Sequence, residues 1–394
     1  MASKNIVVIG GGSGTDIVLS GLKRYACQLT ALISTFDAGY RRRWQDNDRS
    51  LGGDDHGRDH ANHGEKDSNG NNGHARSSTH EVANVDSARP YLHMDEVHSS
   101  LLALGADTLT TDIMQRLFAY RLSHQSGAAG YTLGNLLLSA LTDITGAQDL
   151  ALKAAARVLN VQGQVLPLTL NPCPLVAHLE DGRQVLVSTP AELRSAAAQS
   201  GLRRVGLAAP TPALDGAIEA IRQADIVVIG PADFYFNIIA PMQLEGLAQA
   251  LYESGAIRIL VCNILTEPYI TAGWPASRFI RMAQEAAGGN GSLDYVIVNS
   301  GPLSPEALAD RQAAGYLPVR LDLEECLSLG LNVILRPVVS GQTLRHDPDR
   351  LARTILFLGG WRSTQPGTKR NARTARTLSG ERTAEGLRLR EAGY

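Results

Sequence analysis

Cysteine is scarce and unpaired in this chain. Cys27, Cys173, Cys262 and Cys326 stand far apart and none belongs to a C-x-x-C pair, so neither a zinc site nor a disulfide framework is indicated and a reducing cytoplasm fits. Net charge is lacking too. A formal charge of -2 gives no overall positive field to gather phosphate backbones, which argues against nucleic acid as a partner. Long apolar runs are missing: none approaches the roughly 20 residues of a membrane span, and Met1 to Asn5 is too short and polar to open a signal peptide. Aliphatic residues are almost absent from Tyr40 to about Arg89, a stretch of Arg, Asp, His, Asn, Gly and Ser. Such a segment cannot bury enough surface to offset the entropy of ordering it. Residues 40–90 therefore read as a disordered polar insertion. Its histidines, His56, His60, His63, His74 and His80, are chelating residues at short spacings, but no adjoining core holds them in a ligand geometry.

What is present is a chain of 394 residues, 44% hydrophobic, enough for a core that buries roughly three quarters of the unfolded surface. β-branched runs alternate with helical patterns, as parallel α/β units do. Strands are expected at residues 6–9, 30–35, 226–229, 257–261, 295–298, 318–321 and 333–337. Residues 164–169, 175–179 and 184–188 predict an antiparallel patch extending that sheet towards residues 204–208, with Glu180 to Arg183 as a hairpin turn. The fold class is thus a Rossmann-like, doubly wound, mostly parallel α/β sheet with a small antiparallel extension. Residues 1–39 and 91–361 form one domain around the insertion, and 362–394 is a disordered basic tail whose eight Lys and Arg face three glutamates.

The stretch that organises the rest is Gly10-Gly11-Gly12-Ser13-Gly14-Thr15, between the apolar run Ile6 to Ile9 and a helix beginning near Ile17. A strand that stops in glycines before a helix leaves bare N–H groups and a helix N-terminus facing one point, which attracts phosphate. Walker A fails here, because Thr15 and Asp16 stand where Lys and Ser or Thr are required. The dinucleotide fingerprint fits poorly, with Thr15 at its third glycine, although Asp37 lies where a ribose-binding carboxylate would. A tight turn with no ligand is the plain alternative. Other strand ends carry Gly230-Pro231-Ala232-Asp233, Cys262-Asn263 and Asn299-Ser300-Gly301. In a doubly wound sheet these share one edge with Gly10 and Asp37, although Asn, Asp and Gly are also ordinary loop formers.

The phrases VVIGGGSGTDIVLSGLK, YTLGNLLLSALTDITG, RVLNVQGQVLPLTL, ADIVVIGPADFY, VCNILTEP, LDYVIVNSGP and LRHDPDRLA resemble, in order and spacing, the CofD-like family. They are more similar to its YvcK branch of gluconeogenesis factors than to its 2-phospho-L-lactate transferases. For the first branch the resemblance implies a UDP-sugar ligand and a role in gluconeogenic growth and cell shape. For the second it implies a magnesium-dependent transfer of phospholactate from a guanosine diphosphate donor to a deazaflavin. By the same resemblance Gly10, Gly11, Gly12, Gly14 and Thr15 match the phosphate loop, with Ser13 inside it. Asp37 matches the first acid of A-D-D-G-G and is the candidate catalytic and magnesium-binding residue. Gly134 and Asn135 match L-G-N, Gly230 and Pro231 match G-P, and Asn263 matches N-I-M-T; Asp233 and Asn299 complete the candidate ligand set.

Departures cluster on one side. The second acid is Ala38, G-D-I-R-N has become Asp95-Glu96-Val97-His98-Ser99, and a serine after the G-P loop is Asn237. Loss of an acid and an arginine weakens phosphoryl-type transfer before it weakens binding. His98 in its charged form, or Arg41 to Arg43 folding back, are ways to restore the charge. The expectation is a nucleotide-diphosphate-binding regulator, with the transferase second and a nicotinamide-binding protein third. No membrane span is expected, and the reading admits a homo-oligomer.

Overall fold

The computed structural model describes residues 3–25, 27–36, 95–106, 109–122, 132–171, 173–340 and 343–360. The polar insertion, Asp37 and the basic tail lie outside them. Seven parallel strands form the central sheet: β1 (Asn5–Gly10), β2 (Gln28–Ile33), β3 (Gln164–Pro167), β7 (Ile226–Ile229), β8 (Ile257–Val261), β10 (Tyr295–Asn299) and β12 (Asn332–Arg336). Their order is β12-β10-β8-β7-β1-β2-β3. From β1 the chain steps outward through β2 and β3, then returns to the other flank at β7 and continues outward. The reversal falls between β1 and β7, so a crevice opens beyond their carboxyl ends. Helix α1 (Gly12–Leu22) leaves β1 at that crevice, and α2 (Asp95–Leu104) packs alongside it.

Alternation along β1 builds a core on each face of the sheet. Val7 and Ile9 join Leu32, Phe234, Trp274 and Phe279 on one face. Ile6 and Val8 join Leu19, Leu22, Leu101 and Ile355 on the other. Helix Pro348–Leu358, capped by Asp347, lies so close to α1 that Gly21 rests on the Pro348 carbonyl.

Two expectations are corrected. The antiparallel patch is not an extension of the main sheet: β4 (Leu175–Leu179), β5 (Gln184–Val187) and β6 (Leu202–Leu207) hydrogen-bond among themselves as a separate sheet, order β5-β4-β6, while β3 pairs parallel with β2. Residues 318–321 are not a strand of the main sheet either. Pro318 has no N–H to offer a central ladder, and only β11 (Leu317–Pro318) pairs, antiparallel, with β9 (Leu265–Thr266). A helix at Pro190–Ser200 was not expected, yet its signal is in the letters: the Thr189 side chain accepts from the Glu192 N–H at 3.1 Å, and the Glu192 carboxylate accepts from the Ser188 N–H. Thr-Pro-x-Glu is a capping sequence with proline at the first helical position.

Candidate functional site at the carboxyl edge

Each glycine of the loop is there for a local reason. The Thr15 side chain folds under the turn, accepting from the Gly11 N–H at 2.9 Å and donating to the Gly11 carbonyl at 3.2 Å. Thr15 is fully buried and presses on Gly10. It is therefore the buckle of the loop, and the Gly11 N–H is spent on it. Gly12 opens α1 at φ 68°, the left-handed region that favours glycine. Gly14 lies against the backbone carbonyl of Pro231, so the loops after β1 and β7 touch with no side chain between them.

The β7 loop is itself built from hydrogen bonds. Gly230 N–H donates to the Ile9 carbonyl at 2.9 Å, the Gly230–Pro231 peptide is cis, and Asn263 Nδ2 donates to the Ala232 carbonyl at 2.9 Å. Asp233 caps the next segment, accepting from the Phe236 N–H at 2.8 Å. That segment, Tyr235–Ile239, is a π-helical turn, a widening of the helix often found at functional sites. It delivers Asn237 to the glycine loop, where its amide carbon lies 2.9 Å from where a Gly11 Cβ would be. Asn237 Nδ2 donates to Glu96 Oε1 at 3.1 Å, and the Glu96 carboxylate lies against Gly11 and Gly12.

Helix α2 thus presents Glu96 to the loop, and two residues later it presents His98 to Gly134. The His98 imidazole rests on the Gly134 α-carbon, is 5% exposed and stacks on Phe118 with ring centroids 5.4 Å apart. His98 therefore works as a packed aromatic between helices. Gly134 and Asn135 open helix Leu133–Thr145, whose N-cap Thr132 accepts from the Asn135 N–H at 3.2 Å.

The remaining candidates sit further along the same edge. Both ends of the Asn299 amide are used within its loop: Nδ2 donates to the Gly301 carbonyl at 2.8 Å, and Oδ1 accepts from the N–H groups of Gly301 and Val338. Asn299 shapes the turn after β10, and Asn263 ties the β8 and β7 turns together. The structure brings Gly10 to Thr15, Gly230, Pro231 and Asn237 into one place, with Glu96 against them, whereas the Asp233 carboxylate caps the next turn and lies near Glu267. Among the described residues no group of three or more His, Cys, Asp or Glu side chains could hold a metal. Glu96 alone does not make a magnesium site.

Burial dominates the electrostatics. Asp16, on α1 one residue beyond the buckle, accepts from Ser100 Oγ at 3.0 Å, and burial pushes its pKa up to about 6 despite the serine hydroxyls around it. Burial and the nearby Asp233 carboxylate push Glu267 up to about 8, with Arg194 at 3.8 Å partly offsetting them. An opening of about 270 Å³ near Arg194 is lined by Tyr269 and Tyr316 and by no residue of the glycine loop.

A pH dependence follows from Asp16. Its carboxyl binds a proton more tightly folded than unfolded, so its contribution to stability falls as pH rises from about 4 to about 6 and stays low above that. At about 1.4 kcal/mol per unit, and allowing for the solvent that reaches a half-buried group, ionisation costs about 2 kcal/mol at neutral pH. Asp16→Asn, whose amide oxygen still accepts from Ser100, is expected to stabilise the protein by that amount at pH 7.5 in urea unfolding. The gain should vanish near pH 4; a variant less stable than wild type at pH 7.5 contradicts this.

Glu96 and Asn237 are the site residues that sequence reasoning missed. In the sequence both stand only as departures from family phrases, and nothing local marks them as neighbours of the loop.

The chain is similar to known proteins over most of its length. Residues 92–339 match the family model described as 2-phospho-L-lactate transferase CofD. A putative gluconeogenesis factor of Nostoc sp. is 32% identical over 362 residues, 90% of this chain and 69% of that protein. The gluconeogenesis factor of Bacillus subtilis is 27% identical over 359 residues, 90% of this chain and 97% of that protein. A crystal structure of a UPF0052 family member from Bacillus halodurans superposes with a TM-score of 0.73 at 27% identity, covering 90% of this chain and 99% of that one.

Proposed function

This chain belongs to the CofD family, and on that premise we propose that it is a gluconeogenesis-factor-type regulator that binds a nucleotide diphosphate, a UDP-sugar, across the carboxyl edge of its sheet. The observation that carries the reading is the glycine loop at the switch point, stripped of side chains by contact with Pro231, Glu96 and Asn237. The first N–H groups of α1 and its positive end favour an anion there. The diphosphate sits at Gly12 to Gly14, with Asn237 and the turn at Gly230 and Pro231 beside it, and no bond need be made or broken. The regulated processes are growth on gluconeogenic carbon and cell shape, in the cytoplasm. No helix among the described residues is long and apolar enough to cross a membrane.

The second reading, a magnesium-dependent transferase of the 2-phospho-L-lactate type, rests on the description of the matching family model. Its candidate metal residue, Asp37, lies outside the described residues. Calorimetric titration with UDP-N-acetylglucosamine, GDP and NAD, each with and without magnesium, separates the readings. Metal-independent binding of the UDP-sugar is expected. Magnesium-dependent GDP binding would move the assignment to the transferase, and binding of NAD alone to a nicotinamide protein. Binding of none would overturn the nucleotide reading.

A further inference from the structure

We propose that the Glu96 carboxylate occupies the anion position of the glycine loop and that a phosphate ligand binds by displacing it; the proposal rests on the loop being the phosphate site. Three observations carry it. The carboxylate lies directly on Gly11, in space a Cβ there would fill, and 3.6 Å from where a Gly12 Cβ would be. Asn237 Nδ2 donates to its Oε1 at 3.1 Å. Asn237 is 2% exposed, and its Oδ1 is buried without a hydrogen-bond partner, so Glu96 satisfies the donor end of that amide and leaves the acceptor end unused.

A carboxylate close to a helix N-terminus is favoured, as a phosphate is, by the positive end of the helix dipole. The two anions therefore compete for one seat. Side by side, away from bulk water, they repel, so phosphate enters as Glu96 swings out. The leaving carboxylate frees Asn237 Nδ2 to donate to a phosphate oxygen, and a ligand hydroxyl would use the orphaned Oδ1. Glu96 thus sets a threshold. A weakly charged or singly attached anion does not repay the loss of the Glu96 contacts, whereas a diphosphate bearing a sugar does. The device makes Glu96 a selectivity residue and couples ligand binding to the position of α2.

The test is calorimetric titration of wild type, Glu96→Gln and Glu96→Asp with inorganic pyrophosphate and, separately, with UDP-N-acetylglucosamine. Glutamine keeps the side-chain volume and the hydrogen bond from Asn237 but removes the charge. Aspartate keeps the charge on a shorter arm. Glu96→Gln is expected to bind pyrophosphate about tenfold or more tightly than wild type, with an unfolding temperature no higher than wild type, because a favourable anion has left the helix end. Glu96→Asp, drawn back from Gly11, should also bind more tightly than wild type. If neither variant binds pyrophosphate more tightly than wild type, the displacement account is wrong, whatever wild type does with the UDP-sugar. If the variants gain pyrophosphate affinity but no protein binds the UDP-sugar better than pyrophosphate, Glu96 guards the seat and the nucleotide reading alone fails.

Discussion

Gly14→Ala is expected to be among the most damaging single-methyl changes in the chain, lowering unfolding free energy by about 2–4 kcal/mol. A Cβ at residue 14 would lie 2.9 Å from the Pro231 carbonyl carbon and closer still to its oxygen. That neighbour is backbone and cannot rotate aside. The β7 turn is held on both sides, by Gly230 N–H on the Ile9 carbonyl and by Asn263 on the Ala232 carbonyl. To admit the methyl, the loops after β1 and β7 must part, which also dismantles the seat at the head of α1. Alanine regains about 1 kcal/mol of helix propensity over glycine, and the range above is net of that. Urea unfolding measures the effect. Gly255→Ala is the control, since an added Cβ there meets nothing within 4 Å. Equal midpoints for the two variants would show that the loops do not touch as described.

Gly12→Asp is expected to remove nucleotide-diphosphate binding, weakening it about 100-fold or more, equivalent to about 3 kcal/mol. Gly12 sits at φ 68°. Aspartate is among the residues that tolerate the left-handed region, so the fold should survive with a loss of about 1 kcal/mol. The new carboxylate would stand at the entrance of α1, its Cβ about 3.6 Å from the Glu96 oxygen, adding an anion on a short arm that cannot swing away as Glu96 does. Gly12→Asn imposes the same backbone strain without the charge and should bind at least tenfold more tightly than the aspartate variant. If the two variants lose the same affinity, strain and not charge is responsible.

Most of the architecture was legible because it is written in short-range chemistry. The apolar runs of β1, β7, β8, β10 and β12 and the glycines after β1 specify strands that end at a crevice, and the sheet order places that crevice as the alternation implied. Long-range partners were harder to read. Residues 164–167 and 175–179 look alike as strands, and nothing local says that one pairs with β2 and the other with β6. Asn299 and Asn263 occupy the right edge, but whether an amide faces a ligand or its own loop depends on neighbours such as Val338 and Ala232. The sequence offers His98 as a stand-in charge, and its stacking on Phe118 is a long-range contact that the sequence does not announce. Glu96 reaches the loop from a helix more than 80 positions downstream, and its partner Asn237 sits on a π-helical turn that sequence periodicity does not announce.

The central claim is that the loop from Gly10 to Thr15 holds the diphosphate of a nucleotide ligand. It is tested most directly by paired calorimetric titrations of wild type and Gly12→Asp with UDP-N-acetylglucosamine, each protein first shown to unfold cooperatively. Saturable binding by wild type that the aspartate variant loses is the predicted result. Equal affinity in the two proteins would contradict the account, because the ligand would then be bound elsewhere.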